Sequence, residues 1–390
     1  MSELKKVEIK VDEIKDEKLD RRIAELRVGS SNTFQFLPAI NLKKVKSSTV
    51  DAIGATVSEN YVAITLKRLR EMDSDTYEQE KFLKNNIKRN YTLNSFIVIK
   101  LLINQDDVIE KQDVEYLISL LSTVHNFVFI TPLVYNYKHI ESIRKLNGKE
   151  IRIENDIPTT PINSEKYLQF AKLFIDGVKS VTNTVCLTLQ KTFTNKKTEE
   201  LVKLYNDVKV PFALIDLKAG IVENVEPQLN TLKRLLNKKE GNEGYALYSF
   251  DMKPSRLHKK DNFASSRGLL YSLFGFSSFG PLHTVTVGPI DKPPKIKIYN
   301  QKEYGYVYKE NPQFRITDEN YNKWVSSLKI EDNNKSNKYR FLREYEYSGI
   351  IKSASEIFNK NLRTKELLND KTIFSKDVEI IKRTLSSDKD

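Results

Sequence analysis

The chain has 390 residues with 39% hydrophobic and 10% aromatic side chains, which is enough apolar material for a core and excludes a disordered or fibrous protein. Its formal net charge of +12 favours a partner that carries phosphate, above all nucleic acid, either tRNA or DNA. A single cysteine excludes a disulfide framework and any zinc site built from several thiolates.

The charged N-terminus, MSELKKVEIKVDEIKDEK, has no apolar signal region, and no run of residues is long and apolar enough to span a membrane. We therefore expect a soluble, cytoplasmic protein without a membrane partner. Lysine is spread along the chain, so composition alone is a second explanation of the positive charge. A homo-oligomer is compatible with the sequence.

Short apolar runs, mostly uninterrupted, predict parallel strands that are covered on both faces. In chain order they span residues 33–40, 59–66, 95–103, 126–135, 184–190, 211–217, 245–251 and 282–288. Segments with helical spacing lie between them, at 113–124, 164–181, 198–208 and 226–239.

This alternation predicts an α/β protein with a (βα)8 TIM-type barrel at residues 31–290. Residues 1–30 form a charged N-terminal segment, read as a strand and short helix that make a lid, and residues 291–390 form a basic, aromatic C-terminal extension. An open doubly wound sheet is the alternative, although no glycine-rich phosphate loop follows any strand. The stretch KEIRIEN at 149–155 is a candidate ninth strand.

Two Asp-x-Lys pairs end successive predicted strands: Asp216 with Lys218, and Asp251 with Lys253. Side chains at i and i+2 of a strand point the same way, so each pair would face one barrel mouth. A carboxylate there can act as a base or nucleophile, and a lysine beside another cation loses its proton more readily. The simpler interpretation is that a buried strand meets water at these residues.

Arg256 follows the second pair and can present a fork-shaped contact to phosphate or carboxylate. The four histidines are scattered without metal-ligand spacing, so the sequence indicates no metal site, and it indicates no cofactor. Further on, in KIKIYNQKEYGYVYK, three tyrosines recur at every second position with lysines nearby. Either they bind nucleic acid by stacking and charge, or the tyrosines cover one end of the barrel. The residues are Lys295, Lys297, Tyr304, Tyr306 and Tyr308.

Two stretches resemble the tRNA-guanine transglycosylase family of (βα)8 barrels, which exchange a base in nucleic acid. Residues 27–66, RVGSSNTFQFLPAINLKKVKSSTVDAIGATVSENYVAITL, resemble that family's opening, including Asn60 and Tyr61. FDMKPSR at 250–256 is similar to its Phe-Asp, Pro, Thr/Ser, Arg stretch, with one residue fewer before the proline. The resemblance implies that Asp251 attacks the sugar carbon. The family's Asp-Ser-Gly-Gly-Phe motif and its three-cysteine, one-histidine zinc site are absent here.

Three hypotheses follow from these patterns. The first is a glycosyltransferase that acts on nucleic acid, with Asp251 as nucleophile, Asp216 as acid/base, and Lys218, Lys253, Arg256, Asn60 and Tyr61 binding substrate. The second is a non-catalytic, basic nucleic-acid-binding or structural subunit on a barrel scaffold. The third is a small-molecule lyase or aldolase that uses Lys218 or Lys253.

Overall fold

In the computed structural model, the described residues are 7–16, 19–28, 32–35, 37–88, 93–124, 128–146, 149–240, 244–253, 255–258, 262–283, 296–309, 319–327, 335–359 and 362–386. Within them the chain is a mixed α/β protein.

The strands of the described residues are β1 Val7–Asp16, β2 Leu19–Val28, β3 Asn32–Gln35, β4 Val57–Thr65, β5 Asn94–Ile103, β6 Phe129–Ile130, β7 Leu133–Leu146, β8 Lys149–Pro161, β9 Val185–Gln190, β10 Phe212–Asp216, β11 Ala246–Phe250, β12 Ser255–His258, β13 Phe263–Ser266, β14 Ser278–Phe279, β15 Ile296–Asn300 and β16 Gly305–Lys309.

The α-helices of the same residues are α1 Val50–Ile53, α2 Leu66–Met72, α3 Thr76–Asn86, α4 Lys111–Ser122, α5 Ser164–Val178, α6 Asn195–Leu204, α7 Glu226–Asn237, α8 Arg267–Ser272, α9 Glu319–Ser327, α10 Lys335–Ile357, α11 Thr364–Leu367 and α12 Thr372–Ser386.

Five strands form one parallel sheet in the order β14-β11-β10-β9-β6. Every residue of β9, β10 and β11 is buried, as the uninterrupted apolar runs predicted. Amphipathic helices connect these strands. In α7, for example, Leu229, Leu232 and Leu236 recur at helical spacing and are buried.

A second sheet has the order β4-β5-β7-β8, in which β4, β5 and β7 are parallel and β8 runs antiparallel to β7. The stretch at 149–155 lies in β8, so it is the second strand of a long hairpin. A bulge interrupts this hairpin, where Thr159 and Thr160 lie opposite Asn136.

Backbone hydrogen bonds connect the two sheets through residues 37–40. The Ala39 N–H donates to the Phe279 carbonyl in β14 over 3.1 Å, and Ile40 forms a parallel bridge with Ser58 in β4. On the other side, β6 in the first sheet is followed at once by β7 in the second.

The strand expected at 282–288 falls largely outside the described residues. The described strand after β11 in the parallel sheet is β14 at Ser278–Phe279, and residues 281–283 are irregular, while residues 284–288 lie outside the described residues. The sequence does not predict β14, because serine and glycine flank Phe279 and are weak strand formers.

Successive side chains of a strand point to opposite faces, so the buried apolar residues fall into two large groups. One, which we call the inner cluster, draws alternate residues from strands of both sheets, among them Val57, Phe96, Val98, Tyr135, Cys186, Phe212, Leu214, Tyr248 and Phe250. The intervening strand residues pack with the helices in the other cluster, for example Ile97, Ile99, Ala213, Ile215 and Leu247.

Residues 7–16 and 19–28 pair as antiparallel strands, β1 with β2, so the short helix expected in this segment is wrong for the described part. Ala24 and Leu26 of β2 join the inner cluster next to residues near the amino ends of the strands, such as Phe96 and Ala246. The Arg21 guanidinium donates to the Ile357 carbonyl at the end of α10 over 3.0 Å.

The C-terminal part contributes a separate antiparallel sheet and helices. The sheet has the order β12-β13-β16-β15, so it combines the segment after Asp251 with strands from the extension. No helix of the described residues is long and apolar enough to cross a bilayer.

Candidate active site

Asp216 ends β10 and shares a strand face with Phe212 and Leu214, both members of the inner cluster. Its carboxylate is therefore directed to the interior, and the residue is fully buried. The Tyr135 hydroxyl donates to Oδ2, and the Lys218 backbone N–H donates to Oδ1 over 3.2 Å.

Asp251 follows the last residue of the neighbouring strand β11 and is also fully buried. The His283 backbone N–H donates to its Oδ1 over 2.9 Å, which holds one carboxylate oxygen. The Ala219 N–H donates to the Asp251 carbonyl over 2.5 Å, so the turn after Asp216 is bonded to the turn that carries Asp251.

Both turns contain strained backbone. The φ angles of Lys218, Ala219 and Asp251 are 45°, 52° and 51°, in the left-handed region that residues with a side chain rarely adopt. Such strain clusters at functional sites, where the surrounding structure enforces it. Here the hydrogen bond from Ala219 to Asp251 holds the two strained turns together. The two carboxylates lie at the same end of adjacent parallel strands.

Lys100 is a site residue that the sequence reasoning missed. It lies in β5 on the same face as Phe96 and Val98 and is only 3% exposed. Its ammonium lies 4.3 Å from the ring centroid of Tyr135, 5.5 Å from that of Tyr61 and 5.7 Å from that of Phe250. A lysine within the apolar run SFIVIKLLI was the available signal, because a buried ammonium requires a counterion.

Glu59 is a second buried carboxylate that the sequence reasoning missed. It lies on the same face of β4 as Val57 and Tyr61, and it is 1% exposed. One of its oxygens accepts from the Tyr248 hydroxyl, and the other is paired with His283 Nε2. Glu59 therefore fixes the residue whose backbone N–H holds Asp251.

Gly280 is required by this arrangement. A Cβ at position 280 would clash with both the Tyr248 hydroxyl and the Glu59 carboxylate. Only glycine lets the chain pass here on its way from β14 to His283.

An aromatic wall adjoins Asp251. The His283 ring packs against Tyr61, at 4.4 Å between centroids, and against Phe250, at 5.2 Å in a stacked orientation, and the Tyr61 and Phe250 centroids are 5.8 Å apart. Tyr61 and His283 are partly exposed, whereas Phe250 is buried. The sequence-predicted Tyr61 thus lies beside the candidate nucleophile.

The charges of the site act on one another. Burial raises the pKa of Asp216, the Lys100 charge and the Tyr135 hydrogen bond offset part of that increase, and Asp251 adds to it. Burial also raises the pKa of the Tyr61 hydroxyl, and the negative charges of Asp251 and Asp216 act in the same direction.

Lys218 is partly buried at the base of the β7–β8 hairpin, where its ammonium donates to the Thr159 carbonyl. The bulge releases this carbonyl from the strand ladder. Burial lowers the pKa of Lys218, the Asp216 charge opposes that decrease, and the cations of Lys100 and Lys191 add to it.

The other predicted substrate-binding residues have different surroundings. Lys253 is exposed. Arg256 lies in β12, and its side chain is outside the described residues. Asn60 faces the helices on the other side of β4. There its Nδ2 donates to the Lys88 carbonyl over 3.1 Å, and its Oδ1 accepts from the Lys88 N–H over 2.9 Å.

The predicted nucleic-acid residues lie in or beside the C-terminal sheet. Tyr304 and Tyr306 are buried, so neither ring offers an open face for stacking, and Tyr308 is partly exposed. The Lys297 ammonium lies 3.4 Å from the Tyr306 ring centroid and 3.2 Å from Glu346. Lys295 is outside the described residues.

Gln190 ends β9 and is the strand partner of Asp216. It is 1% exposed, and its Nε2 donates to the Val134 carbonyl over 3.3 Å. Its Oε1 accepts no hydrogen bond from any described residue, which leaves a buried acceptor beside Asp216.

Among the described residues, no group of three or more histidine, cysteine, aspartate or glutamate side chains is placed to hold a metal ion. Cys186 lies in the inner cluster, and burial raises the pKa of its thiol, so it has the environment of a core residue.

A scan against known family models and a search of curated proteins found no match to this chain.

Proposed function

We propose that the two main sheets complete an eight-stranded (βα)8 barrel, in which residues 37–40 supply the first strand. The hydrogen bond from Ala39 to Phe279 and the bridge from Ile40 to Ser58 support this closure. The inner cluster supports it too, because it collects alternate residues from strands of both sheets. The two aspartates then lie at the carboxyl ends of the strands, where barrel enzymes place their chemistry.

Within that barrel, we propose a glycosyltransferase that exchanges a base in nucleic acid through a covalent intermediate. The observation that carries this proposal is the pair of fully buried carboxylates on adjacent strand ends, in different environments. Asp251 has one oxygen held by a backbone N–H, whereas burial raises the pKa of Asp216 and favours a proton on it. Such a division assigns one carboxylate to attack and the other to proton transfer.

In the first step, the Asp251 carboxylate attacks the anomeric carbon of the sugar and forms a glycosyl ester. The glycosidic C–N bond breaks, its electron pair leaves with the base, and the base takes a proton from Asp216. In the second step, an incoming base transfers a proton to Asp216 and attacks the same carbon. The ester bond then breaks, and its electron pair returns to Asp251.

The remaining residues bind and orient the substrate in this scheme. The buried Gln190 oxygen accepts from an N–H of the base, and Tyr61 lies along its ring. The Lys100 cation stabilises the anionic form of Asp216 when it has given up its proton. Lys253, exposed at the rim, and Arg256 contact phosphates.

The test is incubation of the protein with tRNA and with duplex DNA in the presence of each radiolabelled free base. We expect incorporation of one base and a denaturant-stable protein–nucleic-acid adduct, both lost in Asp251→Asn. Full activity of Asp251→Asn would overturn the assignment. Binding of nucleic acid with no exchange of any base would instead favour the non-catalytic alternative.

A second candidate is carbonyl chemistry through an imine on Lys218. The observation that favours it is the lowered pKa of this lysine, since an amine must be neutral to attack a carbonyl. Borohydride reduction in the presence of a panel of small aldehydes and keto acids would trap a carbonyl compound on Lys218. A Lys218→Arg variant should not be labelled, and equal labelling of that variant would exclude this candidate.

A further inference from the structure

A cavity of about 510 Å³ lies between the end of β5, the bulge of the β7–β8 hairpin and the start of α5. Its volume falls within the range of about 300–1,000 Å³ that is typical of small-molecule sites. The two carboxylates of the candidate active site do not line it, so it is a separate site in the molecule.

The bulge places this cavity next to the candidate active site. Asn136 and Thr160 both line the cavity, and the Asn136 Nδ2 donates to the Thr160 hydroxyl over 3.2 Å. The residue before each of them belongs to the candidate site. The Tyr135 hydroxyl donates to Asp216, and the carbonyl of the residue before Thr160 accepts from the Lys218 ammonium. A ligand of the cavity therefore lies beside the reacting groups.

Side-chain amides dominate the lining. They belong to Asn104, Gln105, Asn136 and Asn163. Asn104 and Gln105 are exposed, and neither amide is hydrogen-bonded to another described residue, so both can bind a ligand. An amide presents one donor and one acceptor side by side, which matches a donor and an acceptor on the edge of a nucleobase.

Tyr137 and Ile162 supply the apolar part of the lining. Tyr137 is partly exposed, and it packs against the inner cluster, which holds its ring in place. Ile162 is buried, and its N–H donates to the Val134 carbonyl over 3.1 Å. An aromatic ring and a branched side chain in fixed positions suit the flat face of a base.

Lys166 adds a positive charge to this lining. Its ammonium donates to the Gln105 carbonyl over 3.1 Å, which holds it at the cavity. It forms no ion pair with a described carboxylate, and none of the described lining residues is acidic. A cation in an otherwise neutral lining favours a ligand with an anionic group such as phosphate.

We propose that this cavity binds an adenine nucleotide, with the base against the amides and Tyr137 and the phosphate on Lys166. Asparagine and glutamine amides pair with both the N7 acceptor and the N6 amino donor of adenine. The same edge of guanine offers two acceptors and is read by arginine or lysine instead. A neutral sugar has no group that pairs with the Lys166 charge.

The adenine nucleotide is either free in solution or part of a nucleic-acid chain. In a chain it is the neighbour of the reacting nucleotide, so the cavity sets the sequence context in which base exchange occurs. That role rests on the proposed nucleic-acid substrate, whereas binding of the nucleotide itself does not.

The test is isothermal titration calorimetry of the full chain with 5′-AMP, GMP, CMP, UMP and adenosine. The variant Asn104→Ala/Gln105→Ala removes two amides and keeps the Gln105 carbonyl that holds the lysine. Its matched control, Asn85→Ala/Gln169→Ala, removes the same two residue types from exposed positions outside the cavity.

A second pair of variants tests the phosphate contact. Lys166→Gln removes the cation from the cavity, and Lys172→Gln removes an exposed cation from a later turn of the same helix, α5. Lys166→Gln should weaken binding of 5′-AMP about fivefold and leave binding of adenosine, which has no phosphate, unchanged. Lys172→Gln should change neither.

We expect 5′-AMP to bind about tenfold more tightly than GMP, CMP or UMP. The variant Asn104→Ala/Gln105→Ala should bind 5′-AMP about tenfold more weakly and lose its preference over GMP, while the matched control binds as the unmodified protein does. Equal loss in a variant and its control, or tighter binding of a neutral sugar such as maltose, would overturn the proposal.

Two thymine oligonucleotides of equal length, one with a single central adenine, identify the source of the nucleotide. Tighter binding of the adenine oligonucleotide than of 5′-AMP, with the same loss in Asn104→Ala/Gln105→Ala, assigns the cavity to a nucleotide of a chain. Tighter binding of 5′-AMP assigns it to a free nucleotide. No preference for adenine in either form would overturn the proposal.

The same measurements separate this site from the base-exchange chemistry. Asp251→Asn should bind adenine nucleotides normally, because Asp251 does not line the cavity. Base exchange by a protein that binds no adenine nucleotide would remove this inference alone. Binding of 5′-AMP by a protein that exchanges no base would remove only the proposed function.

Discussion

The ends of β10 and β11 carry the same sequence device, an aspartate two positions before a lysine, yet the structure uses them differently. At β10, Asp216 and Lys218 both lie at the candidate site, and the Lys218 N–H bonds the Asp216 carboxylate. At β11, Asp251 is buried beside His283 while Lys253 is exposed.

The difference shows where side chains two positions apart cease to share one face of a strand. Asp216 is still a residue of β10, so its direction follows from Phe212 and Leu214. Asp251 lies one residue beyond β11 with a φ of 51°, and its direction is set by the turn and by His283 instead. Spacing in sequence therefore predicts a shared face only while the backbone remains extended.

The largest expected effect is a difference in base-exchange activity between substitutions of the two carboxylates. Asp251→Asn should lower base-exchange activity at least about a thousandfold, because an amide cannot form the ester. Asp216→Asn should cost about a hundredfold, since it removes only proton transfer. Both variants should be measured by label incorporation at matched folded fraction, and a greater loss in Asp216→Asn would reverse the two roles.

Substitution of the two lysines should change base-exchange activity to different extents in the same assay. Lys218→Ala should reduce activity about tenfold, because it removes a cation that lies near Asp216 and that bonds the base of the β7–β8 hairpin. Lys253→Ala should stay within about twofold at saturating nucleic acid and should raise the KM, because an exposed lysine at the rim contacts phosphate and not the reacting groups. Equal losses would show that exposure does not distinguish the two lysines.

Backbone geometry predicts opposite signs for one pair of substitutions. At position 251, glycine should give a free energy of unfolding about 1 kcal/mol higher than alanine, because a left-handed φ strains any residue with a Cβ. At position 216, within a strand, alanine should be more stable than glycine by roughly 0.5–1 kcal/mol. Urea unfolding of the four variants measures both differences, and equal signs at both positions would contradict this account.

The smallest expected effect is a pH dependence of stability. The pKa of Asp216 is raised in the folded state, so the unfolded chain loses its proton first as pH increases. The contribution of Asp216 is thus fully present below the ordinary aspartate pKa and is lost as pH rises through the raised value. Urea unfolding across this acidic-to-neutral range should show a decline that is weaker in Asp216→Asn. An identical decline in the variant would place its origin in other groups.

The parallel strands, the main helices and the two aspartates could be predicted from sequence, because apolar runs and helical spacing directly encode burial. Helix ends are harder to predict. Asn163 and Ser164 are adjacent residues of types that cap helices, and the structure shows that Asn163 caps α5, accepting from the Lys166 N–H over 2.9 Å. Serine and asparagine cap equally well, so neighbouring candidates cannot be separated without the backbone.

The rest of the candidate site depends on contacts between distant segments. Glu59 and His283 are 224 positions apart, and nothing local to either residue indicates their pairing. The family resemblance groups Asn60 with Tyr61, but neighbouring residues of a strand face opposite sides, so only Tyr61 lies at the site. For Tyr304 and Tyr306 the sequence leaves a binding surface and a buried position equally open, because alternation does not reveal which face of a strand is covered.

The contact of Arg21 with the end of α10 has a consequence for the order of folding. Arg21 is 1% exposed, and it donates to the Ile357 carbonyl, 336 positions later, and to the Leu362 carbonyl over 2.7 Å. During synthesis, the N-terminal hairpin leaves the ribosome long before these acceptors exist. A buried guanidinium without them is costly, so we expect the hairpin to dock only after α10 has emerged. Formation of this contact would then mark the completion of folding and would slow it, as contacts between distant positions do.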